Sequence, residues 1–253
     1  MPDALLWSRV LGTGRTVVFL HGFMESSTMW DHLSLNKLNY KKVFIDLPGH
    51  GNSPLLTGEG DPSIAEMATH VMATLEALKM SDFDVVGHSM GGYVALELKK
   101  QMAGCQRVVL LNSNFWEDSV EKKRDRIRVA DLAFKAKDLL IQQAIPGLFF
   151  RKERDIEHIQ FLIKEAKNML PESIAYAALA MRNRMDCSSL LSTSPNDFLL
   201  IHGMNDPLIS SEGIRERTSK VPIKVVMLPN AGHMAHVEDC YSVLVLFMDY
   251  LPV

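Results

Sequence analysis

Six short, nearly unbroken apolar runs constrain this chain more than any other feature of its sequence. They are Thr16–His21, Val43–Leu47, Phe83–Gly87, Val108–Asn112, Phe198–His202 and Val225–Leu228. A strand with one wet face alternates apolar and polar residues, whereas a strand buried on both faces reads as a continuous run of Val, Ile, Leu and Phe. The stretches between the runs have helical spacing. In Ser63–Lys79, residues Ile64, Met67, Ala68, Val71, Leu75 and Leu78 recur at three- and four-residue steps, and Ser63 with Glu66 has the form of a capping box. Val94–Met102 and Tyr241–Tyr250 repeat the pattern. Doubly buried strands alternating with amphipathic helices predict an α/β chain built on a doubly wound, mostly parallel sheet.

One stretch breaks the alternation. From about Phe115 to Ser188 charged and apolar residues keep helical spacing without a strand signal, punctuated by Pro146-Gly147 and Pro171. Three or four helices are expected there. A structureless loop of that length is rare in a compact domain, so the segment is expected to pack as a helical cap. The division that follows is a core over residues 1–114 and 189–253, with a cap over 115–188 inserted after the strand at 108–112.

Composition excludes several classes. With 253 residues, 47% hydrophobic and 23% charged, the chain has enough apolar surface to fill a core and is not a disordered protein. A net charge of −3 gives no basic face for nucleic acid. No apolar run approaches the roughly 20 residues that cross a bilayer, and Met1–Arg15 lacks the pattern of a secretory signal. Cys105, Cys187 and Cys240 are odd in number and widely spaced, which fits neither a disulfide framework nor a metal cluster. The expected setting is cytoplasmic, with no nucleic-acid or membrane partner; monomer and homodimer both stay open.

The chemistry concentrates in Gly87-His88-Ser89-Met90-Gly91-Gly92, which follows a strand signal and precedes a helix. This is G-x-S-x-G in the strand–turn–helix setting that lifts a serine above a sheet edge. A serine hydroxyl needs a base to become a nucleophile. His233 is the candidate, in the loop after Val225–Leu228; His236, placed at the start of the last helix, His202 and His88 are weaker. A base of this kind needs a carboxylate to fix its tautomer. Asp206 is the candidate, in the loop after Phe198–His202, ahead of Asp186, Glu117 and Asp118. Met90, following the serine, and Phe23, in the turn after Thr16–His21, are the expected N–H donors to an oxyanion, with Met24 as the alternative to Phe23. His21 reads as a buried support, and Asp46 and His50 as residues that hold the loop beneath the site. Met24, Met204 and Met234 lie on loops around the site and, with Trp116 and His88, are candidates for the pocket wall, although the side chain of His88 leaves the turn in a different direction from Ser89. Phe115, Phe149 and Phe150 are candidates for the inner face of the cap. The run Glu117–Arg128 reads first as a solvated helix face.

His21-Gly22-Phe23, Asp46-Leu47-Pro48-Gly49-His50-Gly51-Asn52-Ser53, the Ser89 turn, His202-Gly203 with Asp206, and Gly232-His233 together resemble the α/β-hydrolase fold in its capped, serine-nucleophile form. The resemblance runs from residue 16 to 236 and is similar in pattern to small bacterial carboxylesterases and enol-lactonases. It implies a cofactor-free, metal-free enzyme that cleaves small or medium esters or lactones through an acyl-enzyme. Members with an aspartate nucleophile, the haloalkane dehalogenases and epoxide hydrolases, are set aside by Ser89. Carbon–carbon bond hydrolases, cofactor-free haloperoxidases and the menaquinone-pathway lyase keep a serine and stay open, as does a non-catalytic ligand-binding role; the lyase typically has Arg where this chain has Tyr93. Members usually begin with an antiparallel hairpin. Only 15 residues precede Thr16, with room for one strand around Leu5–Val10, so the first family strand is expected to be missing or vestigial.

Overall fold

A computed structural model describes residues 4–251. The outermost residues of the ranges 1–114 and 189–253, namely 1–3 and 252–253, lie outside the described residues, as does the start of Met1–Arg15.

The apolar runs form one seven-stranded sheet: β1 (Ser8–Leu11), β2 (Thr16–Leu20), β3 (Lys41–Ile45), β4 (Phe83–His88), β5 (Cys105–Leu111), β6 (Phe198–Gly203) and β7 (Lys224–Leu228). The spatial order is β1-β3-β2-β4-β5-β6-β7. Only β1 is antiparallel, with Ser8 opposite Ile45; the other neighbours run parallel. Among the described residues no strand precedes β1, so the sheet opens on a single antiparallel strand.

The two-residue period of the strands divides the core into two layers. Val18, Leu20, Val85, Val108, Leu110 and Leu200 face one cluster; Val17, Phe19, Val86, Val109, Leu111 and Ile201 face the other. Helices α1 (Ile64–Ala77) and α2 (Met90–Gln101) cover the first face through Met67, Leu75, Val94 and Leu98. The C-terminal helix, Cys240–Tyr250, covers the second through Val243 and Phe247, beside Trp30. Strands covered on both faces need a continuous apolar run, which is why the sequence reads as it does. The Ser63 hydroxyl caps α1 by accepting from Glu66 N–H at 3.1 Å. The reciprocal half of the expected box is not made. The Glu66 carboxylate instead accepts from Tyr176 Oη at 2.6 Å and from Gly58 N–H, a tertiary partner replacing a local one.

Between β5 and β6 the chain forms α3 (Val120–Ala144), α4 (Ile156–Lys167), α5 (Pro171–Arg182) and α6 (Ser188–Thr193). A 3-10 turn at Pro146–Leu148 and Pro171 at the first turn of α5 punctuate the run where the prolines stand. Helix α3 breaks at Ala136, whose φ of −156° and ψ of 49° are not helical. Ala130, Ala133, Ile141, Ile159, Leu162 and Ile174 form a third apolar cluster joined by Met24 and Met234. Tyr176, Ala177, Ala180 and Met181 of α5 pack instead into the core of the sheet. The helical segment thus shares packing with the sheet through α5. After β6 come α7 (Ser211–Thr218), β7, the short α8 (Ala235–Glu238) and α9 (Cys240–Tyr250). His236 lies in α8, one turn ahead of the last helix, and is buried.

Candidate active site

Ser89 stands at the junction of β4 and α2 with φ 49° and ψ −115°. A non-glycine residue holds a positive φ only where its surroundings over-determine it. The flanking glycines supply the room: a Cβ on Gly87 would strike the Gly91 carbonyl, and one on Gly91 would strike the carbonyls of Leu20 and His21. Ser89 is half-buried, its side chain reaching the cavity described below.

The loop after β7 brings His233 to it. His233 Nε2 lies 2.9 Å from Ser89 Oγ, and Nδ1 lies 2.7 Å from Asp206 Oδ2. A carboxylate only accepts, so Nδ1 carries the proton and Nε2 presents its lone pair to the serine hydroxyl. Asp206 serves its own turn as well: Oδ1 accepts from Leu208 N–H at 2.8 Å and Ile209 N–H at 3.1 Å. The turn-forming and histidine-orienting roles therefore belong to two oxygens of one side chain. Burial alone would push its carboxyl up; the His233 imidazole, the hydrogen bond to it, His202 and Asn112 together hold it down at about 2. The alternatives are placed elsewhere. Asp186 caps Ser188 N–H at 2.8 Å, Glu117 pairs with Lys123 at 2.6 Å, and Asp118 pairs with Arg126 and Arg184.

The main-chain N–H groups of Phe23 and Met90 make no hydrogen bond to another described residue, and Phe23 lines the cavity beside Ser89. Beneath them His21 is fully buried, its Nδ1 2.8 Å from Gly22 O and its Nε2 accepting from Leu47 N–H at 2.9 Å. Asp46 accepts from Ser27 N–H at 2.7 Å and Asn52 N–H at 2.8 Å, and His50 Nδ1 lies 3.0 Å from Pro48 O. Burial drives the His50 pKa down to about 3.

Three residues that close the site carry no motif and are found only in three dimensions. Asn112, at φ 44°, donates from Nδ2 to Asp206 Oδ2 at 3.0 Å and to Gly232 O at 2.9 Å, tying the acid loop to the histidine loop. Glu238 accepts from Gly232 N–H at 2.7 Å and Phe150 N–H at 2.7 Å, joining the histidine loop to the helical segment. Glu25 accepts from Gly22 N–H at 2.6 Å and lies 3.0 Å from His88 Nδ1, while His88 Nε2 lies 3.0 Å from His233 O. Both partners of His88 are acceptors, so both ring nitrogens carry protons. Burial works against the charge, but the Glu25 carboxylate and the His233 carbonyl outweigh it and raise the His88 pKa. Burial opposes the Glu25 charge too, and His88, His236 and the Gly22 N–H hold its pKa at about 2. The only sequence signal for this pair is a carboxylate three residues after His-Gly and a histidine before the serine.

Ser89 and His233 open into a cavity of about 810 Å³. Phe23, Tyr93, Trp116, Val129, Leu140 and Leu148 give it apolar walls, and Met24 is on it. Three expected wall residues are not. Met204 points outward and is 41% exposed, because its turn directs Asp206 inward. Met234 is buried in the third apolar cluster. His88 is sealed under the histidine loop, consistent with a side chain leaving the turn in another direction. Of the aromatics expected on the inner face of a cap, Phe115 is in the sheet core, Phe149 is buried in the third cluster and Phe150 is 46% exposed. No cluster of His, Cys, Asp and Glu able to hold a metal occurs among the described residues.

The sequence pattern of the alpha/beta hydrolase family matches residues 17–243, and the chain belongs to that family. Its relatives differ in chemistry. It is 24% identical over 239 residues to the 2-succinyl-6-hydroxy-2,4-cyclohexadiene-1-carboxylate synthase of Escherichia coli, with 90% of each chain covered. It superposes on a thermophilic esterase of Thermogutta terrifontis, solved with malate bound, with a TM-score of 0.88 and 26% identity over 97% of this chain and 92% of the other. The enol-lactonase of Burkholderia xenovorans shares the fold at a TM-score of 0.83 and 22% identity, over 97% of this chain and 96% of the other. No helix among the described residues is long and apolar enough to cross a membrane.

Proposed function

We propose that the chain is a serine hydrolase that cleaves small or medium carboxylic esters or lactones through an acyl-enzyme, with residues 115–188 as the cap over its site. The observation that carries the reading is the continuous Ser89–His233–Asp206 contact, 2.9 Å and then 2.7 Å, opening into a largely apolar cavity. His233 Nε2 takes the Ser89 proton as Oγ bonds to the ester carbonyl carbon. The carbonyl oxygen gains the electron pair and is held by the N–H groups of Phe23 and Met90, donors without another partner to abandon. Collapse breaks the bond to the alcohol oxygen, which leaves with the proton from His233. A water then gives its proton to His233 and attacks the acyl carbon; the acid departs and Ser89 recovers its proton. Asp206 stays ionised throughout and stabilises the imidazolium. None of these steps calls on a cofactor.

A purified sample assayed on p-nitrophenyl acetate and butyrate tests this. Ser89→Ala is expected to lose several orders of magnitude in kcat, because the three side chains act as a unit. Equal turnover by wild type and Ser89→Ala ends the serine mechanism.

A second reading, a carbon–carbon bond hydrolase or lyase using the same residues to move a proton, is favoured by the similarity to the Escherichia coli synthase and by cations on the cavity wall. Tyr93 stands against it, where the lyase pattern has Arg. Turnover of the synthase's substrate with no turnover of any ester decides for the second reading.

A further inference from the structure

One end of the cavity has a charge pattern that ester hydrolysis does not use. Lys122 and Arg126 are spaced four apart on α3, so they share one face of it, and with Asp118, just before the helix, they line the cavity beside α7. Arg184 joins them from the end of α5. It is 7% exposed, its guanidinium lies 4.1 Å over the Tyr93 ring, and it donates to Asp118 Oδ1 at 2.8 Å, Trp116 O at 3.1 Å and Met181 O at 3.0 Å. Arg126 Nε reaches the other Asp118 oxygen at 3.1 Å. Two arginines therefore share one carboxylate, with Lys122 beside them.

The rest of the wall does not correct the imbalance. Lys123 is paired with Glu117, Asp125 with Arg128, and Glu25 with His88. Glu216 and Arg217 stand exposed at the rim and offset each other. Lys122 has no carboxylate partner among the described residues. Its ammonium makes a single hydrogen bond, to Leu208 O at 2.6 Å, and burial followed by repulsion from Arg126 pulls its pKa below the usual value. Among the described residues Arg126 bonds only through Nε, which leaves both Nη groups free to donate. A half-buried ammonium and a guanidinium edge, short of anions and open to a cavity, are the elements of a carboxylate receptor. The receptor is tied to the reacting groups: Leu208, which accepts from Lys122, donates its N–H to Asp206.

We propose that the substrate carries a carboxylate besides the bond that is cut, and that this carboxylate docks on Lys122 and Arg126 between α3 and α7. Arg184 is a positioning residue, holding Asp118 so that Arg126 is aimed without being consumed. The proposal rests on the reading of Ser89 as the reacting group. It adds that the favoured ester or lactone is an anion.

The test compares each carboxylate ester with its neutral carboxamide counterpart. Monophenyl adipate against the phenyl ester of adipamic acid places the charge on the acyl side. 4-Carboxyphenyl acetate against 4-carbamoylphenyl acetate places it on the alcohol side. At least one pair should show a kcat/KM preference for the carboxylate of about tenfold or more, the size of one charge-assisted contact. Lys122→Met and Arg126→Gln should each collapse that ratio, and Lys122→Arg should keep most of it. Equal use of both members in both pairs, or a ratio unmoved by either substitution, overturns the proposal. Calorimetry with adipate and adipamide separates this outcome from failure of the hydrolase reading. If no ester turns over, adipate binding that Lys122→Met weakens about tenfold still upholds the receptor, and binding equal to that of adipamide removes it.

Discussion

The charge pair under the histidine loop shows how much a site depends on side chains outside the Ser89–His233–Asp206 contact. Glu25 holds Gly22 N–H, His88 holds His233 O, and the two hold each other, so the loop of Phe23, the serine turn and the histidine loop are fixed by one ion pair. Removing one member strands the other as a buried charge. His88→Ala is expected to cost about 3–5 kcal/mol by denaturant unfolding, whereas Glu25→Gln with His88→Gln should cost clearly less than the single substitution. The pH dependence has a definite sign. Glu25, lowered to about 2, contributes stability that is complete above its unfolded pKa and is lost as pH falls through about 2. His88, raised, contributes stability that is complete below its unfolded pKa and is lost as pH rises through its folded one. The gap between wild type and the double variant should be widest between about pH 4.3 and 6.5 and should narrow on both sides; a flat gap from pH 3 to 9 would contradict it. Asp206 permits a sharper test of mechanism. Asp206→Asn keeps the shape and spoils the tautomer, and should lower kcat by about 10⁴.

At the scale of elements, the site is an assembly of strand ends. Parallel strands bring their carboxyl ends to one edge, and the loops after β2, β4, β6 and β7 each deliver one part there: Phe23, Ser89, Asp206 and His233. Where elements must approach closely, side chains are excluded. Gly91→Ala would push a methyl group into the carbonyls at the end of β2, so it is expected to destabilise by about 1–3 kcal/mol and to slow labelling of Ser89 by a fluorophosphonate. Unfolding and labelling rate measured on the same sample check both halves. The cap of α1 is an ordinary element-level contribution: Ser63→Ala frees Glu66 N–H and should cost about 1 kcal/mol with no change in labelling.

For the whole molecule, net charge is a poor guide to what is bound. The chain carries −3 overall, yet at one end of the cavity Arg126 and Arg184 share a single carboxylate and Lys122 has none among the described residues. Under the proposed docking, attraction of an anionic ester is local and opposed by the distant field. Salt screens exposed charges within about 8–10 Å, so kcat/KM for the carboxylate ester should fall with ionic strength while that for the carboxamide stays level. Parallel profiles for the two esters would argue against a charge-selective cavity.

The sequence by itself determined the sheet, because strands buried on both faces must be written as unbroken apolar runs, and six of the seven were legible that way. The exception, β1, pairs on one edge only and has a half-exposed, weakly apolar sequence, Ser8–Leu11. That Ser89, His233, Asp206, Phe23 and Met90 meet at one sheet edge was legible because a turn that lifts a side chain off a strand needs glycines at fixed offsets. Local contacts were read less well. Ser63 capped its helix, but Glu66 left the box for Tyr176, since a buried tertiary hydroxyl outcompetes a wet local N–H. Met204 and Met234 lay on the right loops and faced the wrong way, because the direction of a side chain in a turn follows from torsions that residue type does not fix. Asn112, Glu238, the Glu25–His88 pair and the contact of Lys122 with Leu208 were decided by tertiary structure alone. Each joins residues far apart in the chain, and the energy of burying a charge or an amide depends on a partner that only the fold brings within about 3 Å.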